Sequence, residues 1–249
     1  MTRSPPHFEI DEPGGGRPWM VWGGHCPSGS LKYLTFSEYF AREPINDAAG
    51  LIEMTGGCTA LALEHFATEY EIPVTAVCDP VGSAYLGAQG FRGEILVPAS
   101  IEEAFSVCQS RVADGWRWPQ QMINPAMVDC VGAWATALLD QLPSRSEIRT
   151  VVTGFGTGAT AIGLHRVFGG AGCAVVAVQC APENPVPGWR NYEVQNMGEH
   201  DLFREYEDAI TLITLPADAP NRPLDALLSH HYEPDHARVL LVSHDARRK

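Results

Sequence analysis

Short, fully apolar runs alternate along this chain with stretches in which apolar residues recur every three or four positions. The runs "PWMVW" (18–22), "GLIEM" (50–54), "PVTAVC" (73–78) and "EILVP" (94–98) predict strands in the first half. "TVVTG" (150–154), "AVVAVQ" (174–179), "AITLITL" (209–215) and "ARVLLVS" (237–243) predict strands in the second. Between them lie helical patterns. "LKYLTFSEYFARE" (31–43) is entered by the capping residue Ser30 and ended by Pro44. "TALALEHFATEY" (59–70) follows, and "IEEAFSVCQSRVA" (101–113) opens on a capping box made by Ser100 and Glu103. Further helices are predicted over 126–142, from Ala159 to about Phe168, and in "PLDALLSHHY" (223–232). Strand–helix alternation of this kind predicts an α/β fold with parallel sheets covered by helices on both faces. Residues 1–17, rich in Pro and Gly, read as a loose arm.

Composition narrows the class. With 249 residues, 45% hydrophobic and 19% charged, the chain has the makings of a large core. Its net charge of −13 repels phosphate backbones and anionic lipids, so neither nucleic acid nor a membrane surface is an expected partner. Seven cysteines without CxxC spacing read as reduced thiols of a cytoplasmic protein, with Cys173 and Cys180 as core thiols. His230, His231, Asp235 and His236 in "SHHYEPDH" read as a polar loop between helix and strand, and no metal is expected. Trp116 and Trp118 either shape a pocket mouth or pack in the interior.

Three stretches stand out chemically. In "TVVTGFGTGATAIG" a buried strand runs through Gly154, Gly156 and Gly158 into a helix, a turn suited to holding an anion such as phosphate on backbone N–H groups. The same glycines fit a dinucleotide-binding pattern, but the next strand ends in Gln179 where a ribose-holding acid is needed. In "LIEMTGGCTALAL" a strand meets Thr55, Gly56, Gly57, Cys58 and Thr59 at a helix start, which suits a carboxylate. In "CPSGSLKYL" stands Lys32, one of two lysines in a chain with fifteen arginines; the other is Lys249. Arginine stays protonated at ordinary pH, whereas a shielded lysine becomes a nucleophilic amine.

In this order and spacing, the three stretches resemble the β-family (fold type II) of pyridoxal-phosphate enzymes, among them cysteine synthase and the serine/threonine dehydratases. "CPSGSLKY" is similar to the family's "NPTGSxKDR", "EMTGGCTALAL" to "EPTSGNTGIAL", and "GFGTGATAIG" to "GxGTGGTxTG". "PQQMINPAM" is similar to "xxQFxNPAN", and "VQNMG" to "IQGIG". The resemblance implies that Lys32 forms the Schiff base with pyridoxal 5'-phosphate and shuttles protons. It implies that Thr55, Gly56, Gly57 and Thr59, with Gln121, hold the substrate. Gly156, Thr157, Gly158, Ala159 and Thr160 would hold the cofactor phosphate, with Cys58 and Gly198 also beside the cofactor. Cys58 stands where the family has asparagine, and Gly56 where it has serine. Asp218 is the candidate to face the pyridine nitrogen.

The implied fold has two parallel-sheet domains, the smaller inserted in the larger: an arm and the start of the large domain over 1–35, a smaller mobile domain over 36–125, and the rest of the large domain over 126–249. The implied reaction is β-replacement or β-elimination, through an aminoacrylate, on an amino acid derived from serine or cysteine. Dehydratase or racemase chemistry, a binding module without turnover and, last, a nicotinamide-dependent oxidoreductase are the alternatives. A homodimer is expected by the same resemblance.

Overall fold

The structure, a computed structural model, describes residues 6–11, 18–23, 25–142, 146–186, 188–195, 198, 201–220, 226 and 239–243. Two sheets organise it. The larger has the order β1-β2-β9-β6-β7-β8, built from Glu9–Asp11 (β1), Trp19–Trp22 (β2), Thr150–Gly154 (β6), Ala174–Gln179 (β7), Thr211–Thr214 (β8) and Val239–Ser243 (β9). Every neighbouring pair in it is parallel except β1 with β2. The smaller sheet is wholly parallel, in the order β3-β4-β5, from Leu51–Met54, Val74–Val77 and Glu94–Leu96. Its strands lie between β2 and β6 in the chain, so one sheet is inserted within the other.

Helices α1 (Lys32–Arg42), α2 (Cys58–Glu69), α3 (Pro80–Gln89), α4 (Ile101–Ala113), α5 (Ala126–Gln141) and α6 (Ala159–Leu164) link the strands. A π-helical turn, His165–Gly169, continues α6. In α1 the residues Thr35, Phe36, Tyr39 and Phe40 are buried, a spacing that puts them on one face. Trp134 of α5 is buried against that face and donates from Nε1 to Thr35 Oγ1 at 3.0 Å. Burying one such aromatic stabilises the fold by about 2–3 kcal/mol. Ser100 caps α4 as expected, its Oγ accepting from Glu103 N at 3.2 Å, but Glu103 Oε2 reaches past the cap to accept from Ala99 N at 2.7 Å.

Two elements differ from the sequence reading. The arm is not wholly loose, because Glu9–Asp11 pairs antiparallel with β2 at the sheet edge. Trp22 Nε1 donates to Asp11 Oδ2 at 3.1 Å, which ties this short strand down. Helix α3 was not expected. Asp79 caps it, its Oδ1 accepting from Gly82 N at 2.7 Å, Pro80 opens it, and Gly90 ends it at φ +76. Of the predicted helix 223–232 the described residues include Ala226 alone, which is helical and buried, and His230, His231, Asp235 and His236 lie outside them. Among the described residues no helix is long and apolar enough to cross a membrane.

Candidate active site

The C-terminal ends of β3, β4 and β6 open onto one cavity of about 570 Å³, lined by Met54, Val77 and Gly154 among others. In parallel α/β sheets this end of the strands is where ligands bind. The same cavity is lined by Lys32 from α1, by Thr55, Gly56, Gly57, Cys58 and Thr59 from the turn between β3 and α2, and by Gln121. Gly156, Thr157, Gly158 and Thr160, from the turn between β6 and α6, line it as well. The three stretches singled out by sequence thus meet in space.

Lys32 is the first residue of α1, and its N–H donates to Ser30 Oγ at 3.2 Å. Burial pulls its ammonium down to about 8, against the opposite pull of Cys58 and Glu53. The dominant cause is therefore desolvation, which penalises the charged form. A lysine in this state holds an appreciable fraction of free amine near neutral pH.

The turn after β3 is braced from beneath by Glu53, a residue the sequence reading passed over. Glu53 is 1% exposed. Its Oε1 accepts from Met54 N at 2.9 Å and Trp118 Nε1 at 3.1 Å, and its Oε2 accepts from Gln121 N at 3.0 Å. Burial pushes its carboxyl up to about 7, although these donors and the Lys32 charge pull the other way. Gln121 then donates from Nε2 to Met54 O at 2.9 Å and accepts on Oε1 from Thr59 Oγ1 at 2.7 Å. Gln121 and Thr59 consequently orient each other at the cavity wall. Trp118 packs in the interior as a donor to Glu53, and Trp116 lies under Gly50, where an added Cβ would come within 2.6 Å of its ring. Gly57 has φ +152, and a Cβ there would lie 2.6 Å from the Tyr85 ring. Cys58 begins α2, with Sγ 3.8 Å from Tyr85 Oη.

The turn after β6 is equally constrained. Phe155 N donates to Val178 O at 2.7 Å, and Thr157 Oγ1 accepts from Ala159 N at 3.4 Å. Gly158 stands at φ +86 as the N-cap of α6. A Cβ at Gly156 would lie 2.6 Å from Gly188 O, so the segment after β7 leaves room for glycine alone. The first turn of a helix leaves N–H groups without intrahelical partners; Thr157 Oγ1 takes that of Ala159, while Gly158, Thr160 and Ala161 line the cavity.

Three sequence candidates stand apart. Ala159 is 1% exposed, in the wall of α6 rather than on the cavity surface. Gly198, at φ +61, does not line the cavity; its carbonyl accepts from Asp201 N at 3.2 Å. Asp218 is exposed in the turn that Ala219 N closes onto Pro216 O at 3.0 Å, away from the cavity. The dinucleotide alternative also weakens. Gln179 uses Oε1 to accept from Tyr192 N at 2.6 Å and Nε2 to donate to Thr214 Oγ1 at 2.8 Å, so it is a structural tie between strands and loop.

An amine of lowered pKa beside two glycine-rich turns, one of which admits no side chain at Gly156, fits an aldehyde cofactor bearing a phosphate. No curated protein matches the chain. The structure is similar to O-ureido-L-serine synthase, with 20% identity over 96% of this chain and 88% of that one and a TM-score of 0.69. It is also similar to the O-acetylserine dependent cystathionine beta-synthase from Helicobacter pylori (15% identity, 97% and 93% covered, TM-score 0.67). A hydrogen sulfide-producing enzyme from Fusobacterium nucleatum is a third (14% identity, 97% and 95% covered, TM-score 0.68). At such identities these likenesses speak to the fold. Residues 23–232 match the family described as pyridoxal-phosphate dependent enzyme, and the chain therefore belongs to that family.

Proposed function

We propose that this enzyme catalyses β-replacement or β-elimination on an amino acid derived from serine or cysteine. The observation that carries the reading is the convergence of Lys32, the Thr55–Thr59 turn and the Gly156–Thr160 turn on one cavity. Names among the structural neighbours, O-ureido-L-serine synthase and an O-acetylserine dependent synthase, support β-substituted serines as the substrate class.

In this reading pyridoxal phosphate, when bound, supplies the electron sink for an amino acid that has lost its α-proton. The chain's own residues do the rest. Gly156, Thr157, Gly158 and Thr160 hold the phosphate. Thr55, Gly56, Gly57 and Thr59 hold the substrate carboxylate, with Gln121 fixing the Thr59 hydroxyl. Lys32 Nζ would hold the cofactor aldehyde and, once the substrate amine has taken its place there, would be free to take the α-proton and to return one. Its lowered pKa matches this task, since a base that works near neutrality has to shed its own proton there. We propose further that residues 36–125 form the smaller, mobile body, and that the enzyme is a homodimer. Light scattering at micromolar concentration tests the latter, and a monomer removes it.

The substrate class is tested with serine, O-acetylserine, O-phosphoserine and cysteine, following keto acid release and β-substituted product. Cys58 offers only a weak S–H donor where the resembling motif has asparagine. Turnover with plain serine should therefore be slow, and activated β-substituents should react faster. If α-protons exchange into deuterated water but no β-group ever leaves, racemisation replaces this reading.

The lowered pKa of Lys32 has its own signature. Below pH 8 the ammonium form lacks the lone pair needed for attack on an aldehyde, and each unit removes about a factor of ten of free amine. The rate at which apoprotein captures cofactor, read by borohydride fixation, should climb with pH and level off near pH 8. A lysine in water levels off above about pH 10. A rate still climbing tenfold per unit at pH 9.5 contradicts the assignment.

A further inference from the structure

Arg190 and Asp201 form a buried ion pair that lies in none of the three stretches singled out by sequence. Their side chains are 7% and 0% exposed. The pairing is bidentate, Arg190 Nη1 to Asp201 Oδ2 at 2.5 Å and Nη2 to Oδ1 at 2.8 Å. Asp201 also accepts from Phe203 N at 3.1 Å, and Phe155 and Tyr192 present their rings to the guanidinium at 5.0 and 5.6 Å. The fork is therefore fixed in position from several sides.

The rest of the guanidinium faces the turn after β6. Arg190 Nε donates to Gly156 O at 2.5 Å, and Nη2 reaches Thr157 O at 3.5 Å. Nη1 donates to Gln195 O at 2.9 Å, which secures the loop after β7 to the same group. In a trans peptide unit the carbonyl and the next residue's N–H point to opposite sides. Holding the Gly156 and Thr157 carbonyls from one side turns the N–H groups of Thr157 and Gly158 to the other.

We propose that Arg190, held by Asp201, is the positioning residue of the phosphate turn: it clamps two successive carbonyls so that the N–H groups of the same peptide units meet the cofactor phosphate. This rests on the assignment of the cofactor phosphate to that turn. The clamp works by geometry rather than by net charge, because Asp201 neutralises the guanidinium at contact. Lysine keeps the charge but lacks the planar fork, so it cannot reach both carbonyls and the carboxylate at once.

The test compares affinities of apoprotein for pyridoxal 5'-phosphate and for pyridoxal, which lacks the phosphate, in the parent, Arg190→Lys and Asp201→Asn. The parent should prefer the phosphorylated ligand. In both variants the affinity for pyridoxal 5'-phosphate should fall about tenfold or more, on the scale of one hydrogen bond to a charged group. Affinity for pyridoxal should stay within about twofold, since a merely structural role would weaken both ligands alike. Equal weakening of both ligands, or an unchanged preference in the variants, overturns the clamp while leaving the cradle assignment standing. A parent that binds both ligands equally overturns the cradle assignment, and the clamp with it. Should Arg190→Lys fail to fold, Asp201→Asn carries the comparison, because it keeps side-chain volume and one acceptor for the fork.

Discussion

Lys32→Ala should abolish turnover, with a loss of at least about a thousandfold, because in the proposed mechanism this one side chain is both the anchoring amine and the base that moves the α-proton. The fold should survive. Lys32 opens α1, whose packing face is Thr35, Phe36, Tyr39 and Phe40, and none of these depends on the lysine side chain. Lys32→Arg should fail as completely, since it preserves a cation but provides no nucleophilic amine. The complementary measurement is borohydride reduction of the parent holoenzyme followed by peptide mass mapping. The phosphopyridoxyl mass should sit on the peptide containing Lys32. Label confined to Lys249, the other lysine of the chain, would refute the assignment, as would substantial turnover by Lys32→Arg.

The two glycine-rich turns of the cavity wall were legible in the sequence because each is local. A strand followed by glycine-rich residues and a helix start can be recognised without knowing the rest of the fold, and both such turns lie where that pattern puts them. What escaped is non-local or brief. Glu53 sits in "LIEM", which reads as a plain buried strand; its partners Trp118 and Gln121 come from a loop more than sixty residues away. The pairing of β3 with that loop, through Leu51 and Arg117, brings them together. Arg190 and Asp201 are likewise joined by loop geometry rather than periodicity. β1 has three residues, too few to show alternation. Helix α3 is a different kind of miss, because its signals are local: the Asp79–Pro80 start and the Gly90 stop are written in the chain. Its interior, "PVGSAYLGAQ", buries only Gly82 and Leu86, so no apolar stripe announces it. Asp218 has no motif behind it, only the resemblance of its segment to the one that faces the pyridine nitrogen in the family, and it is exposed in the turn that Ala219 N closes onto Pro216 O.

Gly158→Asp should remove cofactor retention while leaving a folded apoprotein, and three effects at this position act together. Gly158 caps α6 at φ +86, a left-handed conformation that aspartate adopts at a penalty of about 1 kcal/mol. An added Cβ would stand 3.2 Å from Phe203 Cβ, tight enough to push the turn towards the cavity or Phe203 away from it. The largest effect is the charge, since a carboxylate placed at an anion cradle opposes the cofactor phosphate in a partly desolvated site. At an effective dielectric constant near 20, two like charges about 4 Å apart repel by about 4 kcal/mol, roughly a thousandfold in affinity. Gly158→Ala separates the contributions, because it keeps the strain and the Cβ contact but carries no charge. Its affinity should fall by about tenfold, an order that the strain alone can account for. Titration of each apoprotein with pyridoxal phosphate, beside thermal unfolding without ligand, makes the measurement. If Gly158→Asp binds as tightly as the parent, the phosphate lies elsewhere. If Gly158→Ala is as damaging as Gly158→Asp, backbone conformation rather than anion repulsion governs the turn.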